Sequence, residues 1–99
     1  MKSIALLASL FFISSPLFAQ DANRGSQLYQ TCIECHGDKG QGNPEQAAPR
    51  LAGQHDWYIL SSLIAFQKGE RKNPKMLPFI KGLSEKDFKD LAAYISGLK

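Results

Sequence analysis

The stretch Cys32-Ile33-Glu34-Cys35-His36 decides how this chain folds, because its side chains can bind one large apolar group. Two thiols separated by two residues can reach the two vinyl groups of a single haem. The next side chain then falls beneath the iron, for which imidazole is a suitable ligand. C-x-x-C-H is the attachment signature of a c-type haem. The stretch therefore predicts thioether bonds at Cys32 and Cys35 and an axial iron ligand at His36.

Three other kinds of site could use the same cysteines. A thioredoxin-like C-x-x-C pair needs a βαβ setting, but no segment alternates convincingly between polar and apolar residues. A structural zinc site needs four ligands. Cys32, Cys35, His36 and His55 could supply them, although the spacing to His55 is arbitrary. A disulfide across so short a loop would stabilise little and would leave His36 unexplained.

Residues 1–19 have the three-part layout of a secretory signal peptide. Lys2 gives a positive start, residues 4–13 are mostly apolar, and Ala19 offers a small residue at the cut. The apolar run is shorter than the roughly 20 residues of a membrane span, although an uncleaved anchor remains an alternative. We expect cleavage near Ala19, a periplasmic domain over residues 20–99 and no stable membrane insertion after cleavage.

Length and charge exclude several classes of protein. A chain of 99 residues holds one domain at most. A formal net charge of +3 is mild and argues against a nucleic-acid binder, which needs a concentrated basic surface. A domain this small often depends on a disulfide, a metal or a cofactor for its core. A covalent haem would supply that core.

The spacing of apolar residues predicts an all-α domain with three helices. They run from a cap at Asp21 or Asn23 to about Thr31, from residues 54–56 to Lys68, and from a cap at Ser84 to the C-terminus. The middle helix is apolar on most of its circumference, so it must be covered on more than one side. Residues 37–53 hold four glycines and two prolines and form a long loop, typical of a functional segment. Residues 69–83, interrupted by Pro74 and Pro78, are predicted to be extended.

Met76 is the candidate for the second axial position of the iron. It is the only methionine after the leader and stands between Pro74 and Pro78, which restrict the backbone. A methionine that merely fills a gap in the core is the plainer interpretation. His55 is the rival ligand, but it falls near the exposed start of the second helix. Lys75 could replace Met76 at alkaline pH.

At this point the chain resembles the class I c-type cytochromes, especially the small bacterial group with one haem or with two such domains in tandem. The resemblance covers nearly all of residues 20–99. It rests on residues 25–29, 32–36 and 73–78, on Pro49-Arg50-Leu51-Ala52-Gly53-Gln54, and on residues 91–95. It implies that the N- and C-terminal helices cross and that loops wrap around one covalently bound haem c. It also implies attachment outside the cytoplasm.

The resemblance implies further roles for single residues. Gly25 and Tyr29 correspond to positions of the first helix that cross the last helix near Tyr94. Many relatives carry a second methionine three residues after the ligand. Phe79 occupies that position here, which removes one alternative to Met76.

Around the haem, the resemblance implies two neighbours and one polar contact. The carbonyl of Pro49 accepts a hydrogen bond from the ligand His36, and Leu51 packs on the haem face. Trp57 or Tyr58 reaches a haem propionate, or is simply part of the core.

The function that follows is that of an electron carrier and not an enzyme, because two bound axial ligands leave no open position for a substrate. A peroxidase would need an open position. A haem subunit or electron-accepting partner of a periplasmic oxidoreductase would have the same sequence features, and a gas-binding haem sensor would release Met76. These alternatives stay open.

Positive charge is concentrated around Met76. The segment from residue 68 to residue 81 holds five cations against one acid, Glu70. Either these are ordinary solvated side chains, or they form a patch that steers acidic redox partners to the exposed haem edge. The cations are Lys68, Arg71, Lys72, Lys75 and Lys81.

Overall fold

The computed structural model of the chain describes residues 20–99, so the predicted leader lies outside the described residues. The helices are α1 (Ala22–Leu28), α2 (Ile33–His36), α3 (Asp56–Lys68), α4 (Leu77–Ile80) and α5 (Glu85–Ile95), with 3-10 turns at Tyr29–Cys32 and Pro44–Gln46. Between residues 20 and 99 the strand-type pairing is limited to an isolated bridge joining Asn43 and Ala48. The all-α prediction is confirmed. No helix in this described range is long and apolar enough to cross a bilayer.

The first predicted helix continues beyond Thr31. Asp21 caps α1 by accepting a hydrogen bond from the backbone N–H of Arg24, as expected from its side chain. The 3-10 turn and α2 then follow α1 without a break, so the C-x-x-C-H stretch is itself helical and ends at His36. The last helix begins as predicted, with a reciprocal capping box between Ser84 and Asp87. It ends at Ile95, before the C-terminus.

The prediction that residues 69–83 are extended is wrong in part, because they contain the single-turn helix α4. Pro78 stands in the first turn of α4. The N–H groups of a first turn have no partner within the helix, so a proline there removes no hydrogen bond. Sequence reasoning treated Pro78 as a helix breaker, but its position decides that it starts a helix instead.

The two terminal helices cross at Gly25, as the resemblance implies. A Cβ atom at this position would lie 2.0 Å from the carbonyl oxygen of Asp90 and 2.9 Å from the Cβ atom of Tyr94. Only glycine permits so close an approach of two backbones. Beside the crossing, the rings of Tyr29 and Tyr94 pack with their centroids 5.4 Å apart. The contact fixes α1 on α5.

The core lies between these helices and α3. Ile59 and Leu63 are four residues apart on α3, and both are buried. The apolar side chains of this helix pack into the core, and Ile59 and Leu63 among them also line a cavity. Trp57, near the start of α3, remains 64 % exposed. The buried core residues are Tyr29, Ile59, Leu63, Ile80, Phe88, Leu91, Ala92 and Ile95.

Asp90 is fully buried at the helix crossing and carries a network of charge-assisted hydrogen bonds. Its carboxylate accepts from the backbone N–H of Asp21 at 2.9 Å, from Arg24 Nη1 at 2.8 Å and from Lys86 Nζ at 3.1 Å. Burial, the strongest single influence, raises the pKa of Asp90, but these three donors outweigh it and hold the pKa below its usual value. The network therefore joins the first residues of the domain to its last helix.

Gly25→Ala is expected to destabilise the protein by about 3 kcal/mol, near the upper end of the usual cost of overpacking. The new methyl group would meet the Asp90 backbone, which cannot turn aside. The free energy of unfolding of the haem-loaded protein in guanidinium chloride measures the effect. Gly82→Ala is the matched control, since a Cβ atom there meets nothing within 4 Å. Equal stability of the two variants would contradict the close crossing.

Acidification below about pH 4 is expected to weaken the helix crossing. A carboxyl group has a pKa of about 3.9 in the unfolded chain, and that of Asp90 is lower in the folded protein. Its stabilisation is therefore complete above about pH 5, declines near the unfolded pKa, and is lost as the pH falls through the folded pKa. Asp90→Asn should be less stable at neutral pH and should lose less stability between pH 5 and pH 3. The exposed Glu85→Gln on the same helix serves as control.

Candidate functional site

Two adjoining cavities open beside the C-x-x-C-H helix. Their volumes are about 360 Å³ and about 210 Å³, and cavities of about 300–1,000 Å³ are typical of small-molecule sites. The sequence-predicted ligands His36 and Met76 line both cavities, and Cys35 lines the larger one. The residues common to both cavities are Cys32, His36, Pro49, Asn73, Met76 and Ile80.

His36 is held in a single orientation by the chain itself. Its side chain is only 8 % exposed, and its Nδ1–H donates to the carbonyl oxygen of Pro49 over 2.9 Å. Because a carbonyl oxygen can only accept, Nδ1 carries the proton and Nε2 keeps its lone pair for a metal. The hydrogen bond that the resemblance implies is therefore present.

The loop of residues 37–53 doubles back to bring Pro49 to His36. The N–H of Gly42 donates to the carbonyl of His36 at 2.7 Å, with a φ of 85° that favours glycine. Asn43 and Ala48 then exchange two backbone hydrogen bonds, of 2.8 and 3.0 Å. This turn reverses the chain, so that Pro49 lies beside the imidazole although thirteen residues separate the two.

Tyr29 also holds the end of α2, at the residue that follows His36. It is completely buried, and its hydroxyl donates to the carbonyl of Gly37 over 2.7 Å. Burial raises the pKa of Tyr29 to about 12, so the hydroxyl keeps its proton at any physiological pH. The resemblance placed Tyr29 only at the helix crossing. The structure adds that it fixes the residue following His36.

Cys32 and Cys35 carry free thiols that face the larger cavity. Burial raises the pKa of Cys32, which keeps the thiol protonated until it reacts. No disulfide joins the pair. Among residues 20–99 no three of the His, Cys, Asp and Glu side chains are gathered as a metal site, which argues against a zinc tetrad that includes His55. A thioredoxin-like site fails because the βαβ setting is absent from the described residues.

Met76 immediately precedes α4 and is half-buried at the cavity wall. The backbone carbonyl of Asn73 accepts from the N–H groups of Met76 and Leu77, at 3.1 and 3.0 Å. The Asn73 side-chain oxygen lies 3.3 Å from the same Met76 nitrogen. Asn73 thus closes the turn that carries the thioether. Sequence reasoning missed this role, although the Asn-Pro pair at residues 73–74 is a turn signal.

His55, the rival ligand, lies away from the cavities. It is exposed at the residue before α3, and its ring stacks on Trp57 with the centroids 5.8 Å apart. Leu51 and Tyr58 line the smaller cavity, whereas Trp57 lines neither. Of the two aromatic residues considered for a propionate contact, only Tyr58 borders the site.

Arg71 lies beside the site and contacts α3, which its position in the sequence did not predict. Its guanidinium lies 4.4 Å from the centre of the Phe66 ring and donates to Ser62 Oγ over 3.1 Å. Both contacts reach back to α3, and Arg71 lines the smaller cavity. The sequence had grouped Arg71 with the exposed lysines of the cationic segment. Its anchoring on an aromatic face sets it apart from them.

The side chains at the cavity suit a covalently bound haem. They offer two free thiols three residues apart, a buried imidazole with one free nitrogen, and a soft thioether, which is the donor set that haem iron and its vinyl groups require. Apolar side chains of α3, α4 and α5 form much of the remaining wall.

Several known proteins are similar to this chain. The family model described as Cytochrome c matches residues 22–99. Cytochrome c-554(548) of Halomonas halodenitrificans is 42 % identical over 81 residues, which cover 79 % of this chain and 96 % of that protein. The thiosulfate dehydrogenase electron acceptor of Thiomonas intermedia is 36 % identical, over 98 % of this chain and 43 % of its own length.

A solved structure shows the same fold. Reduced recombinant cytochrome c4 from Pseudomonas stutzeri superposes with a TM-score of 0.73 and 33 % identity, over 79 % of this chain and 48 % of that one. The chain thus spans nearly all of the first relative and about half, or less, of the other two proteins.

Proposed function

The chain belongs to the cytochrome c family, with one covalently bound haem c and a role in electron transport, and we propose that it is a periplasmic carrier with His36 and Met76 as axial ligands. The leader-like pattern of residues 1–19 supports the periplasmic location and cleavage near Ala19. The thioethers would form at Cys32 and Cys35.

One observation carries the proposed ligation. His36 and Met76 are forty residues apart, yet both line the same two cavities, and Cys32 lies with them. His55 is the only other histidine of the chain, and its ring is stacked on Trp57 away from the cavities. No other methionine is present after residue 19.

A haem held by these residues would supply one-electron chemistry at its iron, and the protein would set the conditions for that exchange. The Pro49 carbonyl fixes the imidazole plane and increases the donor strength of Nε2. The thioether of Met76, a soft neutral ligand, favours the ferrous state and raises the reduction potential. Leu51, Ile59 and Leu63 give the smaller cavity an apolar wall.

A second candidate function is that of an electron-accepting subunit of an oxidoreductase. The Thiomonas relative is named as the electron acceptor of a thiosulfate dehydrogenase. In that role the chain would keep the same ligands and would differ only in its partner. Isolation of the native protein with a large partner in fixed stoichiometry would favour the subunit over the free carrier.

The exposed cations near Met76 fit a docking surface for acidic partners. Lys68, Lys72, Lys75 and Lys81 are all exposed, and Arg71 is exposed as well despite its contact with Phe66. Within residues 20–99, the ion pairs found involve Arg24, Lys86 and Lys89 instead. The charge of this segment is therefore available to a partner that approaches the Met76 side.

Met76→Ala is expected to open the sixth position of the iron. The ferric protein should lose the methionine charge-transfer band at the red end of its visible spectrum, and the ferrous protein should bind carbon monoxide. The exposed neighbour Leu77→Ala and the rival ligand His55→Ala are the controls, and both should keep the band.

Two results would contradict this ligation. An unchanged spectrum in Met76→Ala would exclude Met76 as the ligand, and loss of the band in His55→Ala would indicate His55 instead. Carbon monoxide binding by the native ferrous protein would favour a gas sensor, because a closed carrier has no free position.

Reversal of charge in the docking segment is expected to slow electron transfer to anionic partners. With ferricyanide as oxidant, Lys72→Glu with Lys75→Glu should lower the second-order rate constant at low salt and leave the visible spectrum unchanged. The difference should shrink toward physiological salt, where the Debye length is about 8 Å. A cationic cobalt complex as oxidant should show the opposite trend. The control is Lys39→Glu with Lys99→Glu, which makes the same change of charge outside residues 68–81. Equal rates for both double variants would remove the steering role.

A further inference from the structure

We propose that Gln67 is a positioning residue that keeps Met76 at the iron, by tying the end of α4 to α3. The inference rests on the proposed ligation by Met76. Gln67 lines neither cavity, and its side chain acts on the proposed ligand through the backbone of another segment.

The carboxamide of Gln67 donates to the turn that connects α4 with α5. Its Nε2 lies 2.7 Å from the carbonyl oxygen of Leu83 and 3.1 Å from that of Ile80, with the carbonyl of Lys81 further away at 3.4 Å. An amide nitrogen has two hydrogens, so the two shorter contacts use its full capacity. Gln67 belongs to the last turn of α3, whereas its acceptors lie thirteen to sixteen residues later.

These acceptors need a partner because α4 is a single turn. A helix leaves its last carbonyl groups without an internal partner, and one turn is too short to be stable alone. Within the described residues, the carbonyl of Ile80 also accepts from the N–H of Leu83 at 3.0 Å, which closes the turn on itself. Within residues 20–99, Gln67 makes the only hydrogen bonds from this turn to a longer helix, in addition to the packing of Ile80 in the core.

The position of Ile80 controls that of Met76. The two residues are four apart, so their side chains lie on one face of the turn. Both line both cavities, and Ile80 is buried to 2 % exposure. Asn73 closes the other end of the turn at Met76 itself. Asn73 makes its contacts within the segment, whereas Gln67 makes contacts to the rest of the fold.

The test is the affinity of the ferric haem-loaded protein for imidazole, which must displace Met76 to bind. Gln67→Met keeps the length of the side chain and removes both hydrogen bonds, which loosens the attachment of the turn. We expect imidazole to bind about tenfold more tightly, since 1.4 kcal/mol is a factor of ten in affinity. Without imidazole, the methionine charge-transfer band should remain.

Three further variants separate hydrogen-bond donation from shape. Gln30→Met removes an exposed amide that donates only within its own turn, and it should leave imidazole affinity unchanged. Gln67→Glu is similar in size but presents acceptors to the carbonyl groups, so it should bind imidazole at least as tightly as Gln67→Met. Gln67→Lys restores a donor and should return the affinity toward that of the natural protein.

The outcomes distinguish the proposed role of Gln67 from the proposed ligation by Met76. The natural protein must first show the charge-transfer band, which supports ligation by Met76. If Gln67→Met and Gln67→Glu then bind imidazole no more tightly than Gln30→Met, the proposed role of Gln67 is wrong and the ligation stands. If the natural protein lacks the band, the proposed ligation fails and the inference fails with it. Equal gains in Gln67→Met and Gln67→Lys would show that side-chain shape, and not donation, positions the turn.

Discussion

The backbones of α1 and α5 meet at Gly25 at a distance that admits no side chain, and the rest of the domain is arranged around that contact. The chain continues from α1 through a 3-10 turn into the C-x-x-C-H helix without a break. Fixing α1 on α5 therefore also fixes the direction in which His36 enters the cavity. Asp90 strengthens the same crossing by binding the backbone of Asp21 and the side chain of Arg24.

The two walls of the cavity are held in different ways. On the histidine side the loop of residues 37–53 returns to α2, where the N–H of Gly42 and the carbonyl of Pro49 both hydrogen-bond His36. On the methionine side the segment is a single helical turn, and it depends on Asn73 from its own chain segment and on Gln67 from α3.

The charged side chains are paired at the helix crossing and exposed near Met76. Two of the three acids of α5 are used internally, since Asp87 and Asp90 both bind Arg24. Hydrogen bonds with Ser84, together with that from Arg24, hold the pKa of Asp87 below its usual range. The cations that follow α3 are exposed instead, on the side where Met76 reaches the cavity. The same chain thus neutralises charge where helices must pack and leaves it available where a partner is proposed to dock.

The sequence by itself determined the chemistry and the helices, because both depend on residues that are close along the chain. Two thiols and an imidazole in five residues specify the group that binds, and the capping residues Asp21 and Ser84 mark helix starts through hydrogen bonds three residues away. Tertiary structure alone decided the α4 turn at residues 77–80, the attachment of Arg71 to Phe66 and the reach of Gln67 to Leu83. These contacts join segments through space, and no local pattern records which carbonyl or ring will lie opposite a given side chain once the helices have packed.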